Sequence, residues 1–143
     1  MGSLLDYKSL AADYAKYHTH PMNRLCHAFG IPLIVLCVVR WTQFGGSFFP
    51  WASVVLLLYV FWSVPLALMM AAAVFGMAAV APFLHPWFVA FLFLLGWAFQ
   101  FVGHSVFEGR SPAFTKNLVH LLVGPVWVLE ELAMGTGEPK KTG

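Results

Sequence analysis

Residues 51–84 read WASVVLLLYVFWSVPLALMMAAAVFGMAAVAPFL, a run with no acidic, basic or histidine side chain and with Pro65 and Gly76 as its internal interruptions. A helix needs about 20 apolar residues to cross a hydrocarbon layer of about 30 Å. The run is too long for one crossing and fits two in a tight hairpin, 51–68 and 69–84. Working outward, Gly45-Gly46-Ser47 is a turn, and the apolar run from Leu25 to Phe44 before it supplies a span at 28–44, with Gly30-Ile31-Pro32 as a bend. Beyond the hairpin, His85-Pro86 opens a span at 86–107, and Glu108 to Asn117 is a polar connection to a last span at 118–134. The expectation is an all-α, polytopic transmembrane bundle of about five spans in one domain, 1–143, without internal repeats.

The two ends differ from this middle. In residues 3–18, Leu4, Tyr7, Ala11, Tyr14 and His18 recur at spacings of three and four, with Asp6, Lys8, Asp13 and Lys16 mostly off that stripe. An amphipathic helix too short to span is expected to lie at the membrane interface. Thr19-His20-Pro21 breaks it, and Pro21 suits the first position of the next helix. The tail 135–143 is expected to be disordered.

The composition agrees. The chain is 60% hydrophobic and 10% charged, with mean hydropathy +0.77, whereas soluble domains are about 45–50% apolar and about 25% charged. Lipid must be the second solvent. With a net charge of +2 and no basic block, nucleic acid is excluded as a partner. Cys26 and Cys37 form no CxxC pair, and they read as small apolar fillers. Neither a cleavable signal peptide nor a myristoylation motif is visible, because Asp6 stands where that motif wants Ser or Thr. Trp41, Trp51, Trp62, Trp87, Trp97 and Trp127 fall mostly near the expected helix ends, as an aromatic belt does.

Polar groups inside a membrane protein are costly, so each needs a reason. Two clusters stand out. The first runs from Tyr17 through His18, His20, Asn23 and Arg24 to His27, and Asn23 and His27 share a helical face. In the second, Gln100, His104 and Glu108 are spaced four apart, a polar stripe closing an apolar helix, with Arg110 after it. His120, early in the last span, lies near the same end. Several imidazoles with a carboxylate can hold a divalent metal; iron, zinc and copper all suit such ligands. Asn23, Gln100, His20 and Glu108 are candidates to orient the ligands or to complete the shell. His85 has no polar companion and reads as interfacial.

Convergence of His18, His27 and His104 requires an even number of crossings between residues 28 and 104, which is a second reason to fold 51–84 as a hairpin. Lys8, Lys16, Arg24, Arg110 and Lys116 then share one side, and Arg40, Lys140 and Lys141 the other. The positive-inside rule places the histidines on the cytoplasmic face.

The clusters resemble the signatures of the membrane 2-hydroxy-fatty-acid dioxygenase family. Tyr17, His18, Asn23 and His27 match its early Tyr-His…Asn…His pattern. Gln100, Phe101, Gly103, His104, Phe107, Glu108, Arg110, Pro112 and Ala113 match its later Gln-Phe-x-Gly-His run. Gly124-Pro125 and Glu130 or Glu131 match its end. The resemblance implies an Fe(2+)-dependent enzyme that uses O2 to shorten a 2-hydroxy fatty acid by one carbon, in alpha-oxidation. It implies His18, His27 and His104 as metal ligands. His120 stands where related sequences often carry glutamine, and His20 where histidine is not required, so both rest on the residue reading alone. Arg24 and Arg110 flank the site, where either can pair with the substrate carboxylate. The short middle spans match a compact bacterial-type member in the inner membrane. The rival classes are a haem-binding or other metal-binding protein and a non-enzymatic transporter or scaffold. For transport, polar residues are expected at mid-membrane with repeat symmetry, whereas here they gather at one end.

Overall fold

The computed structural model of the chain describes residues 6–134. The expected tail 135–143, the first residues of the 3–18 helix, Lys140 and Lys141 lie outside them. Among the described residues every regular element is helical: α1 (Tyr7–Ala15), α2 (Pro21–Phe44), α3 (Phe48–Trp62), α4 (Val64–Val80), α5 (Pro86–Val102) and α6 (His120–Met134). A 3-10 turn, Ala81–Phe83, extends α4, a π-helical turn, Gly103–Glu108, extends α5, and a 3-10 turn, Ala113–Thr115, precedes α6.

Local chemistry sets the boundaries. The Asp6 side chain accepts a hydrogen bond from Ser9 N and starts α1. α2 begins at Pro21 and not at 28, because His20 caps it through Nδ1 and Pro21 fills the first helical position. The same His-Pro pair, His85-Pro86, opens α5. The hairpin divides at Ser63 and not at 68/69: Ser63 is extended and Pro65 lies in the first turn of α4, so the proline starts a helix instead of interrupting one. α6 begins at His120 after Asn117, whose side chain accepts from Val119 N.

Three helices have the length and apolarity to cross a membrane: Pro21–Phe44, α4 with its 3-10 extension (Val64–Phe83) and α5 with its π turn (Pro86–Glu108). The expected count of about five full-length spans is not supported: three helices meet the length. α3 and α6 have 15 residues each, about 22 Å at 1.5 Å per residue, short of the hydrocarbon thickness. The path is nevertheless a there-and-back one. α2 and α4 lead away from the end that holds the histidines, and Gln43 Nε2 donates to the Ala78 carbonyl where both finish. α3 and α5 lead back, and Tyr59 Oη donates to the Leu122 carbonyl at the start of α6. The outer faces carry Phe49, Val54, Phe61, Leu68 and Leu94, all well exposed, as a lipid-facing surface requires.

α2 is the central helix, and α5 lies antiparallel along it at close range. A Cβ at Gly30 would come within 2.7 Å of the Gly96 carbonyl oxygen, and one at Gly96 within 2.9 Å of the Gly30 carbonyl oxygen. Small residues facing one another let two membrane helices touch through their backbones. α1 folds onto α6 with Leu10 and Tyr14 buried, and the hydroxyl of Tyr7 bonds to Glu130.

Candidate metal centre

The turn after α1 carries His18, α2 carries His27 at the end of its second turn, and the π turn after α5 carries His104. Their rings meet at the end of the bundle, with centroids 4.3 Å (His18–His27), 4.9 Å (His18–His104) and 4.7 Å (His27–His104) apart and planes crossing at 71–86°. One nitrogen from each lies within 4.8 Å of the other two, and all three side chains are buried. The sequence reading thus placed together three residues that the fold brings together.

Backbone carbonyls orient two of the rings. His18 Nδ1 lies 2.7 Å from the Tyr14 carbonyl oxygen and His27 Nδ1 lies 2.9 Å from that of Asn23, each one helical turn back. With Nδ1–H donating to a carbonyl, Nε2 keeps its lone pair free, the tautomer of a metal ligand. His18 Nε2 is buried with no hydrogen-bond partner, and so is His104 Nδ1. A buried nitrogen without a partner is costly. Burial, with His27 beside it, pushes His18 down to about 2 against the opposing pull of the Tyr14 carbonyl, so the imidazole is neutral and its lone pair is available at any ordinary pH. Three converging neutral imidazoles with unsatisfied nitrogens fit a divalent metal, and imidazole suits iron as well as zinc or copper.

The remaining candidates are distributed around this triad. His120 is buried but is not among the three converging nitrogens. Its Nε2 lies 3.2 Å from Asp13 Oδ2, and the Tyr14 ring stands beside it at 5.7 Å. That approach to Asp13 is close but out of line for a hydrogen bond. His20 is exposed, caps α2 and stacks on Phe107. Glu108 closes the π turn that carries His104. Its carboxylate accepts from the Asn23 side chain, from the backbone N–H of His20 (2.6 Å) and from Thr19 Oγ1 (2.8 Å). Gly109, at φ +63°, ends the turn in a left-handed conformation, and Arg110 N donates to the His104 carbonyl. Asn23 is fully buried, and its amide donates to the Tyr17 carbonyl.

A cavity of about 80 Å³ adjoins the triad, lined on its polar side by His27, His104, Gln100, His120 and Tyr14 and otherwise by apolar residues of α2, α5, α6 and the Ala113–Thr115 turn. Neither arginine reaches it. Arg24 pairs with Glu131 and lies over the Trp127 ring, while Arg110 is exposed and donates to the Lys16 carbonyl. Three residues of the site were not singled out as such from the sequence. Tyr14 stacks on His18 at 4.0 Å, Trp127 packs against His18 at 5.4 Å, and Trp97 lines the cavity. For the two tryptophans this corrects the belt reading: both lie mid-helix, whereas Trp87, at the start of α5, is highly exposed. Only the spacing of Tyr14 four residues before His18 pointed to its position.

Fold and site together define a helical membrane protein with a buried three-histidine cluster that can hold a metal ion. The chain belongs to the Mpo1-like family, whose model, described as 2-hydroxy-palmitic acid dioxygenase Mpo1-like, matches residues 4–135. It is 33% identical over 146 aligned residues to the 2-hydroxy-palmitic acid dioxygenase MPO1 of Saccharomyces cerevisiae, covering 94% of this chain and 83% of that relative. No solved structure gives a significant match.

Proposed function

We propose that this protein is an Fe(2+)-dependent dioxygenase that shortens 2-hydroxy fatty acids by one carbon, a step of fatty acid alpha-oxidation. The observation that carries the reading is the buried triad His18, His27 and His104, in a member of a family described as 2-hydroxy-palmitic acid dioxygenases. The reaction balances without an added reductant: a 2-hydroxy acid and O2 give the acid one carbon shorter, CO2 and water. Ferrous iron supplies the chemistry with O2 that amino-acid side chains lack.

The chain's own residues hold, orient and shield. His18, His27 and His104 are the ligands, with two of their tautomers set by main-chain carbonyls. Gln100, with its amide nitrogen buried and unpartnered, offers an N–H donor at the cavity wall for the substrate carboxylate. Burial raises the Tyr14 phenol above its ordinary range, so it stays protonated as a neutral wall of the cavity. Arg24 and Arg110 act at the membrane surface, not on the carboxylate, since each has its bonds elsewhere. The haem alternative is disfavoured by geometry: three imidazoles whose nitrogens lie within 4.8 Å of one another converge on a single ion and not on the two opposed axial positions of a porphyrin. Lys8, Lys16, Arg24, Arg110 and Lys116 at the histidine end favour a cytoplasmic site in a bacterial inner membrane.

The test is metal content joined to turnover. Protein purified anaerobically in detergent is expected to carry about one iron per chain and to convert 2-hydroxypalmitate with O2 to the acid one carbon shorter. His27→Ala and His104→Ala are expected to lose both. A folded protein that keeps its iron in both variants overturns the site, and an iron-loaded protein inert toward 2-hydroxy acids overturns the activity.

A further inference from the structure

We infer that the acyl chain of the substrate leaves the site sideways into the bilayer, through a slot between α5 and α6 that Trp97 and Phe114 close. This deepens the dioxygenase reading and rests on it for the identity of the head group. The cavity begins at His27 and His104 and follows α2 past Ile31 to Ile34. Seven residues of helix is about 10 Å toward the apolar interior. Its volume, about 80 Å³, is about half that of a cavity of about 150 Å³ that takes one benzene ring. A cavity of that size takes the head of the substrate and has no room for a long alkyl tail. The tail must continue outside.

The fold offers one direction. α5 and α6 each pack on α2, but the two scarcely touch each other. The gap between them is bridged by the Trp97 and Phe114 rings, edge to face with centroids 5.5 Å apart. Both rings line the cavity and both are half-buried. Immediately outside, Phe101, Leu118 and Leu121 present apolar side chains to the exterior. Phe114 sits on the short Ala113–Thr115 turn, not on a long helix. A larger groove, about 240 Å³, lies further along the same face of α6, between Leu25 and Leu132. It cannot serve the histidines, because Trp127 stands between it and His18, and the Arg24–Glu131 pair lines it. A slot open to lipid has no floor. The enzyme therefore recognises the first carbons of the chain and leaves the rest in the bilayer.

Two measurements test this. The first uses iron-loaded protein kept anaerobic in lipid nanodiscs and 2-hydroxypalmitate bearing a mid-chain diazirine. Saturable photoadducts are expected on the peptides of Trp97, Phe101, Phe114 and Leu121. Adducts confined to the Leu25 and Leu132 groove, or no saturable adduct, overturn the slot. The second compares kcat/KM for long and short 2-hydroxy acids. Leu121→Trp, which narrows the slot, is expected to lower the long-to-short ratio on the order of 10-fold at unchanged iron content. A ratio unchanged in Leu121→Trp and in Phe114→Ala overturns the slot while leaving the dioxygenase standing. Slot adducts on a protein that turns over no 2-hydroxy acid remove the dioxygenase reading and leave the acyl site.

Discussion

Glu108 ties two distant parts of the chain together: from the end of the π turn its carboxylate holds the Thr19 hydroxyl and the His20 N–H, and so anchors the linker that carries His18 beside the helix that carries His104. It is half-exposed, so the bonds contribute modestly to stability, and their main effect is to position His18. Partners that orient a metal ligand are typically worth 10–100-fold in affinity. Glu108→Ala is therefore expected to weaken iron binding by about 10-fold with the fold intact, read by competition with a chelator; an unchanged affinity would show that the linker is held by other contacts. At this scale the sequence was informative where polarity was out of place. His18, His27 and His104 were legible because imidazoles in an apolar run demand a partner. Arg24 was not, because its partner Glu131 lies at the far end of the chain, beyond any spacing rule. The bond from Glu108 to the His20 N–H was not legible either, because no spacing rule reaches across 88 residues.

The helices depend on contact between α2 and α5, which carry His27 and His104 respectively. Where Gly30 and Gly96 face each other, a side chain has no space: a Cβ at Gly96 would lie 2.8 Å from Ile34 Cγ1. Gly96→Val is expected to force the helices apart at a cost of about 1–3 kcal/mol, as overpacking does. The unfolding temperature in detergent should fall and iron retention with it, since the two histidines ride on the separated helices. Retained iron at wild-type thermal stability would show that the contact is dispensable. The helical class and the there-and-back path were readable from apolar runs and turn residues such as Gly45-Gly46-Ser47. The number of true spans was not. Hydropathy registers that residues 48–62 are apolar, but the division at Ser63, set by a proline that starts a helix, leaves α3 only 15 residues.

The whole molecule is polar chemistry at one end of an apolar bundle, with a rim of paired charges of both signs around it. If that rim faces the cytoplasm, a membrane-impermeant thiol reagent discriminates the ends cleanly, because the native Cys26 and Cys37 are both buried. Lys116→Cys at the histidine end is expected to be protected in right-side-out vesicles and labelled in inverted ones, and Ser47→Cys, in the turn between α2 and α3, the reverse. The opposite pattern would put the histidines on the outer face.

The carbonyls of Tyr14 and Asn23 that fix the tautomers of His18 and His27 belong to the main chain, so no single codon change can delete them. Replacing either residue leaves its C=O in the helix. The electronic tuning of the site is thereby insulated from ordinary genetic drift. Descendants of this protein can retune it only by bending or sliding the helices themselves.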